Sequence, residues 1–352
     1  MPEPVKSCGD VTMVGVTSSS SSPRVPPLPV RDGVNPTRLR VPRQGAWPTI
    51  ADYVLERFGH VDPEGIRRRF RTGEVRAPGG AVVDLNTTLG AHEFIWYYRD
   101  VADEPHLPFE VRVLHRDEHL VVVDKPHFLP TTPGGRFLQN SALVRLRRAL
   151  DHPDLVPLHR LDRATAGVLA FSACPYTRGA YQALFENRVV AKTYEAVVRL
   201  PDTHSGWVNR LPVIYRNRME KTKGVITAQM VDYPVADSGR LSAPRTGKQR
   251  RSHAPTVGPN AESRIELLGT GGGRAHLKLT PHTGRTHQLR VHLAALGTPI
   301  LHDRFYPELL DHADDDVDAP LQLLARTLGF TDPLTGQPRL FRSELELAEV
   351  PR

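Results

Sequence analysis

Between residues 109 and 300 one pattern recurs: a short aliphatic run, a turn, then a helical or second strand-like stretch. Leu120–Val123, Val168–Phe171, Val189–Val198, Ile265–Leu268 and Ala275–Leu279 read as strands, the first a short apolar run that reads as buried and the last two alternating. Asp124-Lys125-Pro126 ends the first, because proline has no N–H to give a ladder. Between the strands, Ser141–Leu150 reads as a basic amphipathic helix, and Tyr181, Leu184 and Phe185 share a helical face. Thr286–Leu296 carries Leu289, Leu293 and Leu296 on one face and stops at Gly297, with Pro299 beyond. Gly269-Thr270-Gly271-Gly272-Gly273 is followed by alternation, not by a helix, so it predicts a hairpin turn and not a dinucleotide loop.

The 352 residues allow a large domain and a smaller one, and 39% hydrophobic content supports a packed core. No apolar run approaches the roughly 18 residues of a membrane span, and no secretory leader is evident, so a cytoplasmic protein is expected. The two cysteines, Cys8 and Cys174, fit neither a disulfide framework nor a zinc site. His287 and His292 are five apart rather than four, and the aspartates of Asp311–Asp318 lack the calcium-loop glycine and glutamate. No metal site is expected. A net charge of +7 favours a polyanionic partner.

Residues 1–44, rich in Ser, Pro and Arg, read as a disordered tail, and 236–262 as a flexible basic insertion. Residues 45–100 read as a small α/β unit: one helix through Ile50, Tyr53, Val54 and Phe58, a second through Ile66 and Phe70, then short strands near Val82 and Phe94–Tyr98. Arg67, Arg68, Arg69, Arg71 and Arg76 cluster in one segment that the second helix carries, and Arg145, Arg147 and Arg148 form another group. Guanidinium forks suit phosphate, so both clusters are candidate nucleic-acid contacts. The order of two helices, a basic turn and short strands resembles the alpha-L RNA-binding module of ribosomal proteins.

Two segments join ionisable groups to tight turns. In His159-Arg160-Leu161-Asp162-Arg163-Ala164-Thr165-Ala166-Gly167, a carboxylate lies between two arginines ahead of small residues that admit a close neighbour. On these residues alone an ordinary ion pair is the better reading. In Thr283-Gly284-Arg285-Thr286-His287-Gln288-Leu289-Arg290-Val291-His292, Arg285 stands where a turn enters a helix.

These segments resemble the His-Arg-Leu-Asp and Thr-Gly-Arg-x-His-Gln-Leu-Arg-x-His signatures of RluA-type pseudouridine synthases. Val123-Asp124-Lys125-Pro126, Lys192-Thr193-Tyr194, and Gly297–Ile300 with Asp303–Tyr306 resemble that family's remaining motifs, in order and register over about residues 109–307. Ala166, Ala164 and His302 depart from the usual serine, acidic residue and glycine.

The resemblance implies an α+β domain over 101–352 with a long, mostly antiparallel mixed sheet flanked by helices and loops. It implies a monomeric enzyme that isomerises uridine in rRNA or tRNA without cofactor or metal. Asp162 would be the catalytic carboxylate, Tyr194 would stack on the base or act as a general base, and Arg285 would pair with Asp162. Arg160, Arg163, Lys192, His287 and Arg290 would contact RNA, and Leu289 would be core. The alternatives are a non-catalytic RNA-binding protein that kept the fold, and a metal-dependent hydrolase, which no ligand spacing supports.

Overall fold

The computed structural model describes residues 26–100, 104–200, 208–231, 258–310 and 315–351. They form two compact units. One comprises the residues up to His106 together with Pro133–Pro153; the other comprises Leu107–Thr132 and the chain from Asp154 onward.

In the first unit, β1 (Thr37–Arg40) pairs antiparallel with β2 (Phe94–Tyr97). Helices α1 (Ile50–Phe58) and α2 (Pro63–Arg71) pack beside them. Thr49 and Asp52 cap α1 reciprocally, and Asp62 caps α2 with Pro63 in its first turn. Ile50, Ile95 and Phe70 fill the core.

Helix α3 (Ala142–Ala149) lies downstream of the first strands of the other unit yet belongs to this one. Val34, Leu138 and Val144 cluster, and Arg147 donates to Gly33 O (3.0 Å) and Asn35 Oδ1 (3.1 Å). Residues 133–153, expected in the catalytic domain, therefore cluster with the N-terminal segment.

The expected disordered tail is corrected in part: residues 1–25 lie outside the described residues, but 26–44 contain β1. Its arginines mislead by composition. Arg38 lies 3.6 Å from the Phe94 ring centroid, so its charge finds a π-face while Val34 and Val41 are buried.

The second unit is built on an 11-stranded sheet. Its strands are β3 (Arg112–Arg116), β4 (Leu120–Lys125), β5 (Val156–Pro157), β6 (Ala166–Ser172), β7 (Ala191–Arg199), β8 (Val213–Glu220), β9 (Gln229–Val231), β10 (Ala261–Gly271), β11 (Arg274–Pro281), β12 (Leu323–Thr331) and β13 (Pro338–Arg342). Helix α4 (Arg178–Glu186) precedes β7, and α5 (Gln288–Ala295) follows β11. The order is β3-β4-β6-β12-β7-β11-β10-β8-β9, with β13 on β12 and β5 on β6. Among the described residues only the β6–β12 pairing is parallel, so the expected α+β, mostly antiparallel mixed sheet is the fold.

Strands β4 and β6 are buried along their whole length, as their unbroken apolar runs require. The glycine cluster closes the β10–β11 hairpin. Of the expected insertion, 236–257 lies outside the described residues; Ala261 and Glu262 belong to β10, because Ala261 and Ser263 alternate into the core.

Ala325 of β12 pairs with Gly167 on one side and with Tyr194 on the other. That strand sets the spacing between the turn before β6 and the middle of β7. Gly167 has φ +111°, and a Cβ there would lie 2.3 Å from Ala325 O. The approach of β6 to β12 requires glycine.

Candidate active site

The turn carrying Asp162 is held from several directions. Thr165 N donates to Asp162 O (3.1 Å), and Thr131 Oγ1 bonds both the N–H and the carbonyl of Leu161. His127 Nδ1 donates to Ala164 O (2.7 Å), and burial lowers that imidazole to about 4, so it is neutral. Lys125 is fully buried at the end of β4 and donates to Leu129 O (2.8 Å), Pro126 O (2.9 Å) and Arg163 O (3.3 Å). Burial brings its pKa down to about 7, against the opposing pull of the Asp162 charge.

The Asp162 carboxylate, 25% exposed, opens into a cleft of about 1260 Å³. Two groups from the α5 segment face it: His287 Nε2 at 3.7 Å and Arg290 Nη1 at 3.9 Å. Arg290 is 3% exposed and doubly bonded to the buried Asp303, Nε to Oδ2 at 2.8 Å and Nη2 to Oδ1 at 2.5 Å. Its guanidinium lies 4.7 Å from the Phe305 centroid. Burial works against the cation, but Asp303 and Asp162 more than offset it and raise its pKa.

His287 begins α5 in the left-handed region, φ +56°, with Nδ1 2.9 Å from Tyr306 Oη. Burial lowers its pKa despite Asp162. A carboxylate near Nε2 favours the tautomer with Nε2–H toward Asp162.

Tyr194 lines the same cleft, and its hydroxyl has no hydrogen-bond partner among the described residues. Burial first, and the Asp162 charge second, raise its pKa far above the ordinary phenol. It therefore faces the cleft as a protonated phenol.

The expected Arg285–Asp162 pair is not formed. Arg285 is exposed on the cleft wall, with Nε donating to Asn260 O (3.1 Å). It stands in a turn that Gln288 ties to β10: Gln288 Oε1 accepts from Thr283 Oγ1 (2.7 Å) and Arg285 N (3.1 Å), while Nε2 donates to Glu262 O (3.0 Å). One turn on, the helix interior delivers Arg290 to the carboxylate instead.

Arg290 is thus also corrected as an RNA contact, since its side chain is buried. The structure supplies the signal that the sequence lacks: α5 is buried from Gln288 to Leu293, and a charge inside a helix buried all round needs a partner. Asp303, in the closing motif, is that partner, and sequence reasoning did not single it out for this role.

Arg160 and Lys192 line the cleft, as does Leu289, which is also core. Arg163 turns away, with Nη2 2.6 Å from Asp315 Oδ1. Arg69 is likewise not free for RNA: it is 5% exposed and pairs with Asp100 (2.9 Å) and Asp62 (3.5 Å). Arg67 pairs with Glu64 and Arg68 with Asp100, while Arg71 is exposed. His292 bonds Asn217 Oδ1 at 2.9 Å inside the core. Among the described residues no cluster of His, Cys, Asp or Glu fits a metal ion, and no helix is long and apolar enough to cross a membrane.

Residues 119–295 match the family model described as RNA pseudouridylate synthase. An uncharacterized RNA pseudouridine synthase of Synechocystis is 31% identical over 73% of this chain and 79% of its own length. The dual-specificity RNA pseudouridine synthase RluA of Yersinia pestis is 32% identical over 66% of this chain and 98% of its own. Among solved structures, human RNA pseudouridylate synthase domain containing 4 aligns with a TM-score of 0.49 at 26% identity, over 67% of this chain and 88% of that one. The family match spans the Asp162 turn, Tyr194 and α5, and the chain belongs to the RluA-type pseudouridine synthases, isomerases that act on uridines of RNA.

Proposed function

We propose that this enzyme isomerises uridines in structured RNA, with rRNA the preferred substrate over tRNA, and that Asp162 acts at the ribose of a nucleotide flipped out of its stack. The observation that carries this is the Asp162 carboxylate, open to the cleft on one side and faced by His287 and the buried Arg290 on the other. A buried, doubly anchored guanidinium is a fixed counter-charge, preorganised for a carboxylate that must attack or guide the ribose carbon.

The uracil must leave its bond to ribose through nitrogen, turn, and rejoin through carbon. A stacked, paired base cannot turn, so the target has to be extruded, which is least costly in loops. Tyr194 offers a ring to stack on the extruded base and a free hydroxyl to hydrogen-bond it. Its raised pKa favours donation by the neutral phenol over work as a base. Arg160, Lys192 and Arg285 on the cleft wall are suited to the flanking phosphates. The preference for rRNA is supported by the N-terminal unit, whose paired helices and exposed Arg71 resemble a ribosomal-protein module.

The test is to incubate the purified protein with total RNA from cells lacking it and to map new pseudouridines. New sites in rRNA loops are expected. Sites confined to tRNA would overturn the preference, and no new site in any RNA would overturn the reading.

A further inference from the structure

Helix α4 ends in a way its sequence does not favour. Arg188 N donates to Phe185 O (3.2 Å) and Val189 N to Leu184 O (3.0 Å), the paired bonds of a Schellman termination. The residue after the C-cap in this motif is left-handed and ordinarily glycine. Here it is Arg188, at φ +57°, a conformation that crowds any L side chain. A strained residue kept at a cleft is a pointer to function.

Three further observations say what the arginine does. Arg188 is exposed and lines the cleft that holds Asp162, and its guanidinium has neither an acceptor nor a carboxylate among the described residues. Val189, whose place in the motif ordinarily packs back onto the helix, is instead 60% exposed on the same cleft wall. The tip is also fixed relative to the catalytic turn: Phe185 stacks on His159, with centroids 5.0 Å apart and planes at 16°, and His159 is three residues before Asp162.

We propose that the Arg188–Val189 tip is a subsite for the RNA strand beside the target uridine, with the guanidinium on a backbone phosphate and the valine against the neighbouring sugar or base. This rests on the reading that the cleft takes an RNA strand with one nucleotide extruded toward Asp162. Helix α4 and the His159 stack hold the phosphate-binding group at a set distance from the reacting carbon, so the strand is gripped in register with the chemistry. Arginine suits this better than lysine because its planar fork takes two phosphate oxygens.

Arg188→Gly separates grip from architecture, because glycine is the residue the backbone prefers there. Wild type, Arg188→Gly and Arg188→Lys are compared by thermal melting, by binding to a fluorescein-labelled RNA hairpin with a uridine in its loop across a KCl series, and by KM and kcat on total RNA. Arg188→Gly is expected to melt no lower than wild type while its affinity falls. Its slope of log K against log salt should shrink by about 0.7–0.9, the loss of one phosphate contact, and its deficit in turnover should fall on KM. Arg188→Lys should recover most of the salt slope. Wild-type affinity and slope in Arg188→Gly, or a lowered melting point with binding intact, would overturn the proposal. If wild type forms no pseudouridine while Arg188→Gly still loses its increment of salt slope, the chemical reading fails and the phosphate grip stands.

Discussion

Arg290 and Arg285 are five residues apart, and the fold gives them opposite environments. Arg285 is on a turn in solvent, where an arginine beside a cleft invites a catalytic reading. Arg290 is inside a helix buried on all sides, where its charge persists only because Asp303 binds it in two places and Asp162 stands opposite. Sequence reasoning singled out Asp162 and Tyr194 because both lie in short motifs ahead of or within strands. It paired Asp162 with Arg285 and not with Arg290, because the motif spells out residue types but not which one the helix turns toward the carboxylate. Arg290→Ala is expected to abolish turnover and to destabilise the fold by about 3–5 kcal/mol, since it leaves Asp303 buried and uncompensated. Arg285→Ala should fold normally and lose substrate affinity more than turnover. Melting curves and single-turnover assays of the two variants check this, and a silent Arg290→Ala would contradict it.

At the scale of elements, β4 supports the Asp162 turn through Lys125. Its apolar run made the strand legible, but not that the run ends on a fully buried amine bonded to three carbonyls, one of them Arg163 O in the turn itself. The amine's pKa falls from 10.5 to about 7 on folding, so between these values the unfolded chain holds the proton more tightly than the folded one. Stability from this group therefore rises with pH across that window, by at most about 1.4 kcal/mol per pH unit. The difference in unfolding free energy between wild type and Lys125→Met should grow in favour of wild type from pH 7 to pH 9. A difference that stays flat with pH would show that the lysine is not desolvated. The hairpin of β10 and β11 and the helices α3, α4 and α5 were legible from periodicity and turn residues. Strand β1 was not, because arginines stacked on aromatic rings look like a solvated tail in composition alone.

At the scale of the whole molecule, the expectation of a small module followed by a catalytic domain missed a discontinuity. Residues 133–153 leave the catalytic unit and join the first, and no local pattern announces that, because Val144 and Leu138 find Val34 only through tertiary contact. A chain beginning at Leu107 would expose these residues and strip Arg147 of Gly33 and Asn35. It is expected to melt well below the full chain or to aggregate. An unchanged melting point, read by differential scanning calorimetry, would instead favour a detachable module. The central claim concerns the carboxylate at the head of the cleft, and the most direct measurement is pseudouridine formation by Asp162→Asn beside its affinity for the same RNA. The amide keeps shape and removes the charge that His287 and Arg290 face. Product formation should vanish while RNA binding stays near that of wild type; a variant that still makes pseudouridine at the wild-type rate would contradict the assignment of Asp162.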